Sequence, residues 1–301
     1  MKIAIAGLGR MGMQISRKLS ENGHEVIAHN RSQEPIDEAV GYGATAAPLH
    51  DDVIAAFDGQ PVIVWIMLPS DVVDSAIDHW LDTAPKGSIL IDGGNSDFRL
   101  TQKRAERVAA KGSKLVDVGT SGGVHGYKNG FSMMVGGDKA AVAVIEPVLK
   151  TLAEPEGAYY HFGPSGSGHY VKMVHNAVEY GMMESLAEGY RMLKEGAYKD
   201  QIDLAAAGNV WQHHSVVTSW LNELCQAAVA ENPNLDGIDG FVAESGEARW
   251  ALEAAKDLGI PLPAIQTSFD VRLASQKGET NFATKMLAAM RNKFGGHELN
   301  K

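Results

Sequence analysis

Apolar residues fall in two different rhythms along this chain. Up to about residue 163 they come in short continuous runs, each ending at glycine or a small polar residue: residues 2–6, 25–29, 61–69, 87–92, 114–119, 131–135 and 159–162. Runs of this length and texture predict strands of a parallel sheet buried on both faces. A helical pattern from Met13 to Glu21, closed by Asn22-Gly23, separates the first two. A helix is also expected after Pro69-Ser70, with Asp71 near its start. Beyond Gly163 the apolar positions recur at helical spacing, over residues 171–194, 204–211, 217–230, 248–258, 262–276 and 281–293. A loop at 232–240 carries Pro233 and two glycines. The pattern predicts an α/β, Rossmann-type doubly wound sheet over residues 1–163 and an all-helical domain over residues 164–301.

Within that second rhythm one segment stands apart. Gly163 to Gly168 reads as a Gly/Ser turn, and a helix is expected from Val171 onward. At ~100° per residue, Lys172, His175, Asn176, Glu179 and Tyr180 share one face, within an arc of roughly 140°. Val171, Val174, Ala177, Val178 and Gly181 take the other. An amphipathic surface helix would also have a polar face. That face, however, is usually repetitive in Lys and Glu, whereas this one holds an amine, an imidazole, an amide, a carboxyl and a phenol. Such a set can hold a polar substrate and move protons. The helix lies at the domain boundary, so its polar face is expected to line the cleft.

The first glycine cluster, Gly7-Leu8-Gly9-Arg10-Met11-Gly12, follows a strand and opens a helix. This is the G-x-G-x-x-G context of a dinucleotide site, in which glycines allow close backbone approach and a helix N-terminus faces a pyrophosphate. An NAD site usually ends its second strand in Asp or Glu; here stand Asn30, Arg31 and Ser32. Arginine beside a hydroxyl suits a 2′-phosphate, so NADP is favoured. The alternative is that Arg31 stacks on adenine and NAD is also used. Ligands of open α/β sheets sit beyond the carboxyl ends of strands, which is where Asn95 and Ser96 lie.

Composition narrows the setting. The 301 residues carry a net charge of -10, which disfavours nucleic-acid binding and requires any anion site to concentrate its positive charge locally. A single cysteine, Cys225, excludes an intramolecular disulfide framework and fits a reducing compartment. The N-terminal run lacks the features of a secretory signal, and no apolar run approaches the ~20 residues of a membrane span. A cytoplasmic protein is expected.

Taken together, these motifs resemble the decarboxylating 6-phosphogluconate dehydrogenases, in the short form, within the β-hydroxyacid dehydrogenase superfamily. The resemblance is carried by Gly7 to Gly12, Ile91-Asp92-Gly93-Gly94-Asn95-Ser96, Ser121-Gly122-Gly123, Gly168 to Asn176 with Glu179-Tyr180, and Arg291 to His297. It implies oxidative decarboxylation of 6-phospho-D-gluconate to D-ribulose 5-phosphate and CO2 with NADP, NAD remaining possible. By resemblance, Lys172 is the general base, Glu179 the acid that protonates C1, and Asn176 the holder of the reacting hydroxyl. Asn95, Ser121, Gly122, Gly123 and His175 bind substrate. Tyr180, Arg272, Arg291 and His297 meet the phosphate. Gly7, Leu8, Gly9, Arg10, Met11, Gly12, Asn30, Arg31, Ser32, Met67, Leu68 and Asn95 meet the nucleotide. The tail pair Arg291 and His297 would come from a partner subunit, implying a dimer or tetramer. No metal is required.

The chain departs from the family at Arg249-Trp250-Ala251, where the family has a hydroxyl in place of Ala251, and in the turn after Gly123. A non-decarboxylating 3-hydroxyisobutyrate-type dehydrogenase shares the glycine motif, the Ser-Gly-Gly turn and the lysine, but has no need of Glu179-Tyr180 or the tail pair. A nucleotide sensor without activity is the remaining alternative. His213-His214 point ~100° apart on a helix and read as non-ligating. Met133-Met134, Met182-Met183, Trp211, Trp220, Trp250 and Cys225 read as packing.

Overall fold

Strands that are apolar on both faces need cover on both, and the sheet has it. The computed structural model describes residues 1–296. Strand β1 (Lys2–Ala6) is followed by α1 (Arg10–Glu21), β2 (Glu25–His29), α2 (Gln33–Gly41), a two-residue β3 (Thr45–Ala46), α3 (His50–Ala56) and β4 (Ile63–Ile66). Next come α4 (Val73–Thr83), β5 (Ile89–Asp92), α5 (Phe98–Ala110), β6 (Lys114–Ser121) and the short α6 (Gly126–Asn129). The sheet is completed by β7 (Ser132–Gly137), α7 (Lys139–Ala153) and β8 (Ala158–Gly163). Among the described residues the strands form one sheet in the order β3-β2-β1-β4-β5-β6-β7-β8. Neighbours are parallel except β6 and β7. Alternate residues of each strand join opposite cores. Ile3, Ile5, Trp65, Ile91 and Val116 pack in one layer, and Ala4, Ala6, Val64, Ile66 and Leu90 in the other. The chain order reverses between β1 and β4, which opens a crevice beyond their carboxyl ends.

The helical part comprises α8 (Ser167–Glu195), α9 (Leu204–Gln212), α10 (Trp220–Glu231), α11 (Glu247–Asp257), α12 (Pro263–Ser275) and α13 (Phe282–Gly295). Its core gathers Met183, Ala187 and Tyr190 from α8, Cys225 and Val229 from α10, and Met286, Leu287 and Met290 from α13. The chain forms two compact units, residues 1–173 and 174 onward, which divide within α8.

Two of the helix starts that differ from the sequence pattern have a capping reason. Ser219 accepts from the Asn222 amide at 3.1 Å, so α10 starts at Trp220 and Val217 stays outside. Helix α8 starts at Ser167, four residues before Val171, because a carboxylate from the sheet caps it. Asp117, fully buried on β6, accepts from the Gly166 amide at 2.8 Å and the His169 amide at 2.9 Å. A carboxylate at a helix N-terminus satisfies otherwise orphaned donors and meets the positive end of the helix dipole.

Asp117→Ala leaves two buried amides without acceptors. At roughly 1.5–3 kcal/mol for each lost bond to a charged group, the first unit should lose about 3–6 kcal/mol of stability, which urea unfolding will read as a lower midpoint.

Candidate functional site

The glycine loop after β1 is shaped by its neighbours. Gly7 has φ +99°, and a Cβ there would lie 2.5 Å from the Met67 carbonyl oxygen. A Cβ on Gly12 would lie 2.0 Å from the Gly7 carbonyl oxygen. These two glycines are required by packing alone. Gly9 differs: its missing side chain leaves open space, with nothing within 4 Å. It is the N-cap of α1, makes no side-chain cap, and is followed by a first turn without an acidic residue. An open, donor-rich helix N-terminus fits a pyrophosphate. The Leu8 side chain is buried in the core, so only its backbone faces this opening. Asn30 holds the loop: its Oδ1 accepts from the Leu8 amide at 3.1 Å, and its Nδ2 donates to the Ser32 carbonyl at 3.2 Å. Arg31 and Ser32 are exposed, and the Ser32 hydroxyl makes no cap bond to α2 although its backbone is the N-cap. The residues present therefore fit a nucleotide, with Arg31 and Ser32 available beyond β2.

Past β5 the chain separates scaffold from site. Asp92, fully buried, accepts from the Ser96 hydroxyl at 2.9 Å and from Arg104 at 3.3 Å, and Arg104 reaches Asp74 at 2.7 Å. Ser96 thus faces inward and belongs to the scaffold, a correction to its expected place at the ligand. Asn95 is the exposed residue of this turn. Ser121 is half-buried at the end of β6, followed by Gly122 at φ +125° and Gly123 at φ +51°. The turn after them is anchored to α1. Buried Lys18 donates to the Gly126, Tyr127 and Glu154 carbonyls, and the Tyr127 amide donates to Gln14.

The first turn of α8 lies against β6 and β7 because three glycines permit it. A Cβ on Gly136 would lie 2.6 Å from the Gly168 nitrogen, and one on Gly168 would lie 2.5 Å from the Met134 oxygen. A Cβ on Gly119 would lie 2.2 Å from the Lys172 Cβ. Lys172 thus crosses β6 where no side chain obstructs it and is 7% exposed. Beside it, buried His169 shares a 2.7 Å hydrogen bond through Nδ1 with the Thr101 hydroxyl.

The second unit carries the other half of the polar face. The Asn176 Oδ1 accepts from His175 Nδ1 at 3.0 Å, and its Nδ2 donates to Glu247 at 3.0 Å. Glu247 is buried and also accepts from the Ser245 hydroxyl at 2.6 Å. This chain of donors fixes the Asn176 amide and the His175 tautomer. His175 lies 3.9 Å from Glu179. Further along, the Arg272 guanidinium sits 3.2 Å from the centroid of the Tyr180 ring. Arg272 and Arg291 are 2% and 8% exposed, and among the described residues neither forms an ion pair with a carboxylate. Burial lowers both guanidinium pKa values, that of Arg272 to about 10. The Tyr180 hydroxyl is buried without a hydrogen-bond partner.

On the polar face of α8, Lys172 and Tyr180 are buried and His175, Asn176 and Glu179 half-buried, while Val174, Val178 and Met182 are 40%, 48% and 46% exposed; a solvated surface helix would show the reverse. Arg291, expected to serve a partner's site, is buried within its own chain, where Tyr180, Glu179 and Glu247 act on its charge. The reason is that it follows Leu287 by one turn on the face of α13 that enters the core. His297 lies outside the described residues. Arg249 is half-exposed and bonds to Glu244, apart from the two buried arginines, and Ala251 is buried. Cys225 is buried as expected, and burial pushes its thiol up to about 12. Asp117, Glu247, Glu184 and the Thr101–His169 pair were not anticipated. A lone carboxylate inside the apolar run Leu115-Val116-Asp117-Val118 was the one available signal.

Residues 2–163 match the family described as the NAD binding domain of 6-phosphogluconate dehydrogenase, and residues 168–301 match its C-terminal domain. The NAD(+)-dependent, decarboxylating 6-phosphogluconate dehydrogenase of Haloferax volcanii is 36% identical, over 99% of this chain and 98% of that protein. Among solved structures, Plasmodium falciparum 6-phosphogluconate dehydrogenase, described in apo form and with NADP+ and 6-phosphogluconate, superimposes with a TM-score of 0.83 at 28% identity. That match covers 93% of this chain and 63% of the other. A Mycobacterium tuberculosis 3-hydroxyisobutyrate dehydrogenase shares the fold, with a TM-score of 0.71 at 22% identity over 95% of this chain and 97% of the other. With both of its parts matched in this way, the chain belongs to the 6-phosphogluconate dehydrogenase family.

Proposed function

We propose that this protein oxidatively decarboxylates 6-phospho-D-gluconate to D-ribulose 5-phosphate and CO2, with NADP favoured and NAD possible. The observation that carries the reading is the pair of buried guanidiniums, Arg272 and Arg291, that lack a carboxylate in ion-pair contact among the described residues. Burying a cation costs several kcal/mol unless a counter-charge is supplied. A phosphate, with Tyr180 beside it, supplies one. A 3-hydroxyisobutyrate-type substrate has no phosphate and would leave both arginines unmatched.

The chemistry follows from the residues on α8. Lys172, buried against Gly119, takes the proton from the substrate 3-hydroxyl. When bound, the nicotinamide nucleotide supplies the acceptor for hydride from C3. Lys172, now protonated, polarises the C3 carbonyl as the C1 carboxylate leaves as CO2. Glu179 then gives a proton to C1. Asn176, held by His175 and Glu247, presents a fixed amide to the reacting hydroxyl and carboxylate. Asn95 and the Ser121-Gly122-Gly123 turn complete the substrate contacts, with Met67 and Leu68 on the nucleotide side.

We read the setting as cytoplasmic and the protein as self-associating, a dimer or tetramer. Among the described residues no helix is long and apolar enough to cross a membrane. The exposed apolar stripe of Tyr170, Val174, Val178 and Met182 supports contact with a second copy. His297 remains the phosphate contact assigned to that copy's tail.

Lys172→Met should lower nucleotide reduction with 6-phosphogluconate by about 10²–10⁴-fold while melting temperature and nucleotide binding persist. Absence of reduction by the unaltered enzyme with either nucleotide would refute the proposed reaction. Arg31→Ser should raise KM for NADP by roughly 10–100-fold, the worth of a charge-assisted contact, and leave KM for NAD within about twofold. Equal effects on the two nucleotides would place Arg31 at the adenine instead.

A further inference from the structure

The phosphate reading leaves one buried acid unexplained. Glu184 lies one helical turn beyond Tyr180 on α8 and is 5% exposed. Its Oε2 is fully buried and has no hydrogen-bond partner, as is true of the Tyr180 hydroxyl one turn before it. The charged groups acting on it are Glu188, one turn further on α8, and Arg272 from α12. Arg272 in turn feels Tyr180, Arg291, Glu179 and Glu184. No ion pair joins Glu184 to Arg272.

We infer that Glu184 is the proton-carrying member of the anion subsite: it is ionised when the Arg272–Arg291 pair is empty and protonated when a dianion occupies it. The inference rests on the phosphate reading above. Without an anion, an ionised Glu184 partly offsets the Arg272 guanidinium. A dianion takes over that role and repels the carboxylate, which then binds a proton from solvent. No bond other than that O–H forms. Burial, reinforced by Glu188 and opposed by Arg272, already holds the Glu184 pKa at about 7, where the exchange is accessible.

The sign follows from linkage. If binding takes up a proton, affinity is full below the free-state pKa of Glu184. It then falls by up to tenfold per pH unit above that value, until the bound-state pKa is passed. Glu184→Gln mimics the protonated form. It should therefore bind a dianion more tightly than the unaltered enzyme at high pH and equally at low pH. Misfolding cannot produce such a gain.

The test uses sulfate, a dianion that does not itself titrate in the range. Its dissociation constant is measured from its protection against thermal unfolding and from its competition with 6-phosphogluconate, across about pH 6–9 at constant ionic strength. The unaltered enzyme should weaken by about tenfold or more over the upper part of the range. Glu184→Gln and Glu184→Met should be flat there and bind about tenfold tighter at the alkaline end. Sulfate binding whose pH dependence survives both substitutions would overturn the role of Glu184 and leave the phosphate reading standing. Failure of sulfate to bind at any pH would overturn the phosphate reading and this inference with it.

Discussion

The carboxylate of Asp117 governs where everything else on α8 falls. It is fully buried, and it accepts two amide hydrogens at the start of a 29-residue helix. Those bonds fix which residue is first, and hence the rotational phase of every later one. A slip of one residue would turn the helix by ~100° and carry Lys172 off the gap at Gly119. Capping from a strand is also more rigid than capping from the local sequence, because Asp117 is held in β6 between β5 and β7. Gly119, Gly136 and Gly168 serve the same end: each removes a side chain that would keep the helix away from the sheet.

The polar groups sort into two kinds by whether they are already paired. Asp92, Ser96, Arg104 and Asp74 satisfy one another. Closed networks of this kind are scaffold: they set geometry and leave little for a ligand to gain. Tyr180, Glu184, Arg272 and Arg291 are the contrary case, buried and incompletely matched. Buried polar groups without partners are expensive, and a folded chain retains them where something else completes them. The same criterion separates Asn95, which is exposed, from Ser96, which is spent on Asp92.

Much of this was legible in the sequence, for identifiable reasons. The continuous apolar runs marked the long strands, since burial on both faces leaves no alternation to confuse them. The polar face of α8 was visible because a 3.6-residue period collects Lys172, Asn176 and Tyr180. Helices α2, α3, α5 and α7 were less visible between strong strand signals, and β3, with two residues, has no periodicity at all. The cap of α8 was invisible for another reason. Asp117 and Gly166 are far apart in the chain, and nothing local to Ser167 says that a helix begins there. Glu184 was hidden by its place beyond Tyr180, where a carboxylate reads as surface until its neighbours are known.

A net charge of -10 poses a problem for an enzyme of anionic ligands, and the placement of its cations answers it. At long range the acidic surface repels a phosphorylated sugar acid and a nucleotide alike, so attraction must be short-range and strong. Exposed lysines would be screened within about 8–10 Å by salt. Arg272 and Arg291 are buried, where the effective dielectric is lower and each charge acts with more force. On the nucleotide side the first turn of α1 carries Arg10 and no acidic residue, which keeps carboxylates away from the pyrophosphate, and Arg31 is spaced off at the end of β2. Arg291 in turn lowers the proton affinity of Arg272. This explains why an acid of adjustable charge sits beside them: Glu184 can partly offset Arg272 when the pair is empty and withdraw its charge when a phosphate arrives.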